Sequence, residues 1–112
     1  MDSSVARVPA AVGRAVETAW TAAAKGDVRI ASASRVAGGC ISPAARVLSS
    51  AGEPAFLKWG DGDVARRMFA EEARSLRALA GAGKVRVPAV LGAGEHDGGG
   101  WLLLEWLEPG VA

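Results

Sequence analysis

One cysteine and one histidine are all that the 112 residues contain. The single Cys40 rules out an internal disulfide framework and any multi-cysteine metal site. With His96 as the sole imidazole, most zinc sites and Ser-His-Asp chemistry fall away as well. An excess of either charge is also lacking. Thirteen basic residues oppose twelve acidic ones, a formal net charge of +1, and the arginines are interleaved with Asp and Glu. Such a balance makes no field of the kind that gathers nucleic acid, and no nucleic-acid partner is expected. No apolar run approaches the ~20 residues of a membrane span, and the N-terminus lacks the continuous apolar core of a signal peptide. Its Ala/Arg-rich start resembles a transit peptide, but Glu17, Asp27 and the lack of a Ser-rich tract speak against one. A cytoplasmic protein with no membrane partner is the expectation.

What is present suffices for a packed core. Half of the residues are hydrophobic, enough for one small domain or part of a larger one. Pro9 suits a first helical turn, and Val12, Val16, Trp20 and Ala23 recur at helical spacing, so residues 9–25 are predicted as a helix ended by Gly26. Residues 28–37 read as a strand with Val28, Ile30 and Val36 on one face and Arg29 and Arg35 on the other. Gly38-Gly39 then forces a turn. Strands follow over 44–50 and around Phe56-Leu57-Lys58, linked by Ala51-Gly52-Glu53-Pro54. Gly60-Asp61-Gly62-Asp63 breaks the chain and offers a carboxylate cap to an amphipathic helix over 64–80, closed by Gly81. Val90-Leu91 and Trp101–Trp106 form the last strands, joined by a loop around Asp97-Gly98-Gly99-Gly100. The expected class is α+β, a five-stranded antiparallel sheet with one inserted helix and a preceding N-terminal helix.

Two charges sit where charges do not belong. Lys58 lies in the apolar run Pro54-Ala55-Phe56-Leu57-Lys58-Trp59. At about 100° per residue, Ala65, Met68, Phe69, Leu76 and Leu79 gather on one stripe of the second helix, and Glu72 falls in its middle. Its neighbour Glu71 lies on the flank, within a turn of Arg67 and Arg74, and reads as a solvated surface partner. A carboxylate facing a core costs several kcal/mol unless paired, by order of magnitude. A Lys58–Glu72 ion pair across the sheet–helix contact would resolve both charges. The plainer alternatives are a buried Glu72 that caps a backbone donor or snorkels to the rim, and a Lys58 that guards an edge strand.

The turn Gly38-Gly39-Cys40-Ile41-Ser42 between two strands admits two readings. Glycines let backbone N–H groups approach anionic oxygens, so a hairpin here can cover a phosphate chain. A Gly-Gly hairpin can equally be no more than a hairpin. No helix opens after it and no Gly-Lys-Ser/Thr follows, which excludes a dinucleotide fingerprint and a P-loop. Cys40 is either an exposed, oxidisable thiol or a small buried hydrophobe.

Glycine turn, strand lysine, helix glutamate and a closing Leu-Leu-Glu-Trp-Leu strand together resemble the N-terminal lobe of protein-kinase-like enzymes. More narrowly, Gly38-Gly39-Cys40-Ile41-Ser42, Phe56-Leu57-Lys58, Met68-Phe69 with Glu72, Ser75-Leu76 and Leu79, Val85-Arg86-Val87-Pro88 and Leu103-Leu104-Glu105 resemble the fructosamine kinase (ketosamine-3-kinase) family. The resemblance spans roughly residues 10–110. It implies that Gly38, Gly39, Cys40, Ile41 and Ser42 cover the phosphates of ATP. Lys58 would contact the α/β-phosphates, held by Glu72. Glu105 and Leu107, with Trp106 between them, would present hinge backbone to the adenine. It further implies ATP and Mg2+ as cofactors, transfer of the γ-phosphoryl to a sugar hydroxyl of a ketosamine, and a redox-sensitive Cys40 able to link a homodimer. The resulting division is an N-terminal helical segment (1–26), an ATP-binding lobe (27–104) and a hinge (105–112).

A catalytic-loop Asp, its downstream Asn and a metal-binding Asp, which the resemblance requires, do not occur. His96-Asp97 runs into Gly98-Gly99-Gly100 and reads as a hairpin loop. The chain is therefore expected to be the first lobe of a longer enzyme, inactive alone, with its metal ligands elsewhere. The competing expectations are an aminoglycoside- or choline-kinase-like phosphotransferase lobe and a non-catalytic kinase-lobe interaction module.

Overall fold

Alternation along one strand sets the architecture. In β3 (Pro54–Gly60), Ala55, Leu57 and Trp59 are buried on one face, while Phe56 and Lys58 occupy the other. A strand apolar on both faces needs cover on both sides, and two helices supply it. The computed structural model describes residues 7–36, 43–83 and 86–107. The elements are α1 (Ala10–Ala24), β1 (Ile30–Arg35), β2 (Ala44–Ser49), β3, α2 (Gly62–Ala82), β4 (Val90–His96) and β5 (Gly99–Glu105). The strands form one antiparallel sheet in the order β1-β2-β3-β5-β4.

On one face α1 lays Val12, Val16 and Trp20 against Val47, Leu57, Trp59, Trp101 and Leu103. On the other, α2 lays Ala65, Phe69 and Ala73 against Leu102 and Leu104, with Phe56 at the margin. Each fully buried large side chain here contributes about 1.5–3 kcal/mol of apolar burial. The N-terminal helix thus shares a core with the sheet.

Several boundaries differ from the sequence reading, each for a local reason. α1 ends on Lys25, whose left-handed backbone (φ 58°) takes the position expected of Gly26, and Ala23 is exposed. β1 begins at Ile30, and an irregularity between Ile30 and Ser32 shifts its phase. Ile30 and Ala33 consequently share the core side, although strict alternation puts them on opposite faces. Val28 precedes the strand, buried, its N–H donating to the Thr21 hydroxyl at 2.9 Å.

The second helix runs through Gly81 to a left-handed Gly83 cap, and Asp61 sits at its N-cap without a side-chain cap bond. Met68 and Leu79 are partly exposed, because the buried stripe is narrower than the predicted one: Ala65, Phe69 and Ala73. β4 is much longer than Val90-Leu91. Its Gly92 and Gly94 lie under the Trp101 ring, where a Cβ at Gly94 would come within 2.9 Å of the indole nitrogen. The loop expected over Asp97–Gly100 is a tight turn on Asp97 and Gly98, both at positive φ, and β5 starts at Gly99.

Candidate functional site

Period-two alternation puts Lys58 beside Phe56 on the α2 side of the sheet, and helical phase puts Glu72 between Phe69 and Ala73 at the edge of the buried stripe. The two side chains meet. Lys58 Nζ donates to Glu72 Oε1 at 2.7 Å and to Oε2 at 2.6 Å. The ammonium stands 6.0 Å from the Phe56 ring centroid and 5.9 Å from that of Phe69. Side-chain exposure is 18 % for Lys58 and 34 % for Glu72, so the pair is sheltered by the aromatics yet open at one end. An ammonium has three N–H donors. Two aim at Glu72, which fixes the direction of the third. Such a cation is oriented before an anionic oxygen arrives. Glu71, as expected, is a surface residue, and it pairs with Arg74 one turn on.

The position of Glu72 depends on how closely α2 approaches the sheet. A Cβ on Gly100 would fall 2.9 Å from Arg66 Cα, and one on Gly99 would fall 2.2 Å from the Gly60 carbonyl oxygen. Only glycine at the start of β5 lets the helix come down this far. Arg66 strengthens the same corner through Asp63 and, at 3.3 Å, Glu95.

Beyond Phe56 the face opens into a cavity of about 240 Å³ lined by Val36, Phe56, Pro88, Leu104, Glu105, Trp106 and Leu107. Its walls are apolar on both sides. Trp106 meets Phe56 edge-on, with centroids 6.2 Å apart and planes at 71°, and the Arg46 guanidinium stands 5.1 Å from the Trp106 ring centroid. A flat, mostly apolar ligand fits such a slot.

Glu105 has an internal task. Its carboxylate accepts from the Ala89 N–H at 3.1 Å and from Arg86 at 3.0 Å, and its own N–H donates to the Ala89 carbonyl at 2.8 Å. The Ala89 hydrogen bond first, and Arg86 after it, hold the carboxyl below its ordinary pKa. The chain is thereby stapled where it enters β4 and leaves β5.

Of the residues singled out in the sequence, Lys58 and Glu72 are in contact, and Trp106 and Leu107 line the slot. Gly38, Gly39, Cys40, Ile41 and Ser42 lie outside the described residues, and with them the redox and homodimer expectations for Cys40. The residues flanking that segment are placed: Val36 N–H donates to the Ala44 carbonyl at 3.2 Å, and Ala44 lies opposite Lys58 in the β2–β3 register. Val36, Phe56, Leu104 and Arg46 were not anticipated as site residues. Only Phe56 carried a signal, since period two from Lys58 puts it on the same face. His96-Asp97 belongs to the β4–β5 turn, as its glycines suggested, with His96 Nε2 3.0 Å from its neighbour's carboxylate. Among the described residues no helix is long and apolar enough to cross a membrane.

The architecture has a solved counterpart. The crystal structure of a candidate fructosamine-3-kinase from Haemophilus somnus 129PT superposes with a TM-score of 0.73 at 25 % sequence identity, over 83 % of this chain. The match occupies 31 % of that protein, so the chain spans about a third of its relative's length. No curated protein matches the chain. The sequence profile of the fructosamine kinase family matches residues 13–112, which include the sheet, α2 and the Lys58–Glu72 pair. A kinase-like N-terminal lobe and a family profile over nearly all of its length agree: the chain belongs to the fructosamine kinase family.

Proposed function

We propose that this lobe binds ATP for a small-molecule kinase that phosphorylates a sugar hydroxyl of ketosamines, a deglycation step. The observation that carries the reading is the two-oxygen grip of Glu72 on Lys58 at 2.6–2.7 Å in a half-sheltered setting. A lysine kept extended by a carboxylate suits an α/β-phosphate contact, because phosphoryl transfer depends mainly on positioning and charge stabilisation. The slot at Val36, Phe56 and Leu104 suits a purine. Glu105–Leu107 would supply its polar edge, apart from the Glu105 N–H, which is bonded to Ala89. Gly38–Ser42 would close over the phosphates.

Mg2+, which such chemistry implies, finds no ligand set here: no group of three or more His, Cys, Asp or Glu side chains converges among the described residues. On this reading its ligands and the catalytic base would come from outside this lobe. The chain's own residues would bind the nucleotide, orient its phosphates through Lys58 and keep water from the base. The test is phosphorylation of fructosyl-lysine by the full-length protein. Lys58→Met should abolish ATP-dependent turnover with the circular dichroism spectrum unchanged, and retained turnover would show that Lys58 has another role. An aminoglycoside accepted in place of the ketosamine would keep the ATP site and move the substrate to the runner-up class.

A further inference from the structure

A second concave surface lies on the α2 face of the sheet, apart from the Lys58 site. α2 and β4 enclose a groove of about 370 Å³ walled by Arg66, Arg74, Arg77 and a single carboxylate, Glu95, and floored by small residues, among them Ala93 and Gly94. The charges along it do not cancel. Arg66 is engaged by Asp63 and Glu95, and Arg74 by Glu71. Arg77 has no ion pair or hydrogen bond among the described residues. A spare guanidinium therefore stands over a floor with almost no side-chain volume.

The floor is also the border of the sheet. β4 pairs with β5 alone among the described residues, so its outer backbone groups have no strand partner. Sheet edges are commonly blunted by Lys, Pro or short length. β4 is seven residues long without Lys or Pro; it has one irregularity, between Val90 and Gly92, and its one carboxylate, Glu95, is taken up by Arg66, so the run Gly92–Gly94 is regular and uncharged. On the sheet's other side, half-buried Ala15 and Ala19 of α1 pack in the cluster that holds Leu91, and Ala19 Cβ sits 2.7 Å from where a Gly92 Cβ would be. A strand added beside β4 would meet arginines on one side and alanines on the other.

We propose that the α2–β4 groove docks an extended acidic segment of a partner protein, adding a strand to β4 with carboxylates toward Arg74 and Arg77 and apolar side chains toward α1. Main-chain pairing would supply affinity, and alternate side chains the selectivity. Planar guanidinium groups receive carboxylates in two-point contacts, which favours Glu and Asp over other acceptors. The proposal is independent of ATP binding, since neither Lys58 nor the slot lines this groove.

The test is fluorescence anisotropy of fluorescein-labelled Glu-Val-Glu-Val-Glu-Val-Glu titrated with the full-length protein. Saturable binding is expected, weakening several-fold as salt rises from about 0.05 to about 0.5 M. Arg77→Glu should weaken it roughly tenfold or more. Arg77 is exposed and has no partner among the described residues, so the variant should keep its circular dichroism spectrum; if it does not, Arg77→Ser is the variant read instead. Replacing Glu with Lys in the peptide, or N-methylating alternate amides, should abolish binding. The proposal is overturned by no saturable signal up to about 1 mM protein, the weakest affinity worth calling recognition. It is equally overturned if the N-methylated peptide or the folded Arg77 variant binds as well as its parent.

Discussion

Lys58 and Glu72 form an unequal pair. Lys58 is the more sheltered and has two aromatic rings beside it, so it depends on Glu72 more than Glu72 depends on it. Glu72→Gln keeps an acceptor in reach but removes the charge that aims the ammonium. On the proposed function, this should lower ketosamine phosphorylation by an enzyme carrying this lobe on the order of 10²-fold. The melting temperature should fall as well, because the sheltered Lys58 ammonium loses its counter-charge. A steady-state assay beside a thermal scan separates the two effects.

Glu105 makes a prediction about acid. Its carboxyl titrates below the ordinary carboxylate range because the ionised form accepts the Ala89 N–H and pairs with Arg86. A folded-state pKa below the unfolded one contributes stability that is complete above the unfolded value and is lost as pH falls through the folded value. The Glu105→Gln variant should therefore be less stable near neutrality and show a shallower loss of melting temperature below about pH 4. Parallel melting curves against pH would refute this.

At the scale of the element, the glycines at the head of β5 decide how α2 sits. Gly100→Ala must push Arg66 Cα away from 2.9 Å, lifting the N-terminal turn of α2 from the sheet. Denaturant unfolding should show a cost of about 1–3 kcal/mol. Elements were legible in the sequence where pattern and propensity agreed. Phe69, Ala65 and Glu72 give α2 its phase unaided, and Ala55 to Trp59 give β3. β4 was not legible beyond Leu91, since Gly92-Ala93-Gly94 has poor strand propensity; pairing with β5 holds it as strand, and its glycines leave room for the Trp101 ring. The β1 faces were misread because a single irregularity after Ile30 inverts every later residue. In the site, Lys58 and Glu72 were visible because each breaks its local pattern. The slot was not, because Val36, Phe56 and Leu104 are apolar residues from separate stretches of the chain that any sequence reading assigns to a core.

For the whole molecule, one sheet is sandwiched between two helices and carries a separate apolar cluster on each face. Both clusters use β5, through Trp101 and Leu103 on one side and Leu102 and Leu104 on the other. Neither helix can detach without exposing a strand the other also needs. Phe69→Ala on the α2 side should cost about 3–5 kcal/mol, and Val16→Ala on the α1 side a smaller amount. Both should move one shared unfolding transition. Two separable transitions, one per helix, would mean that the faces are independent.

The same division sorts the four tryptophans. Trp20, Trp59 and Trp101 are buried in the α1-side cluster, while Trp106 borders the slot beneath Arg46. Tyrosine is absent, so near-ultraviolet emission comes almost wholly from indoles. Three emitters should hold a constant blue background, and the fourth alone should dim or shift when the slot fills. If the slot takes the proposed nucleotide, the lobe carries its own optical gauge of occupancy, readable without a label.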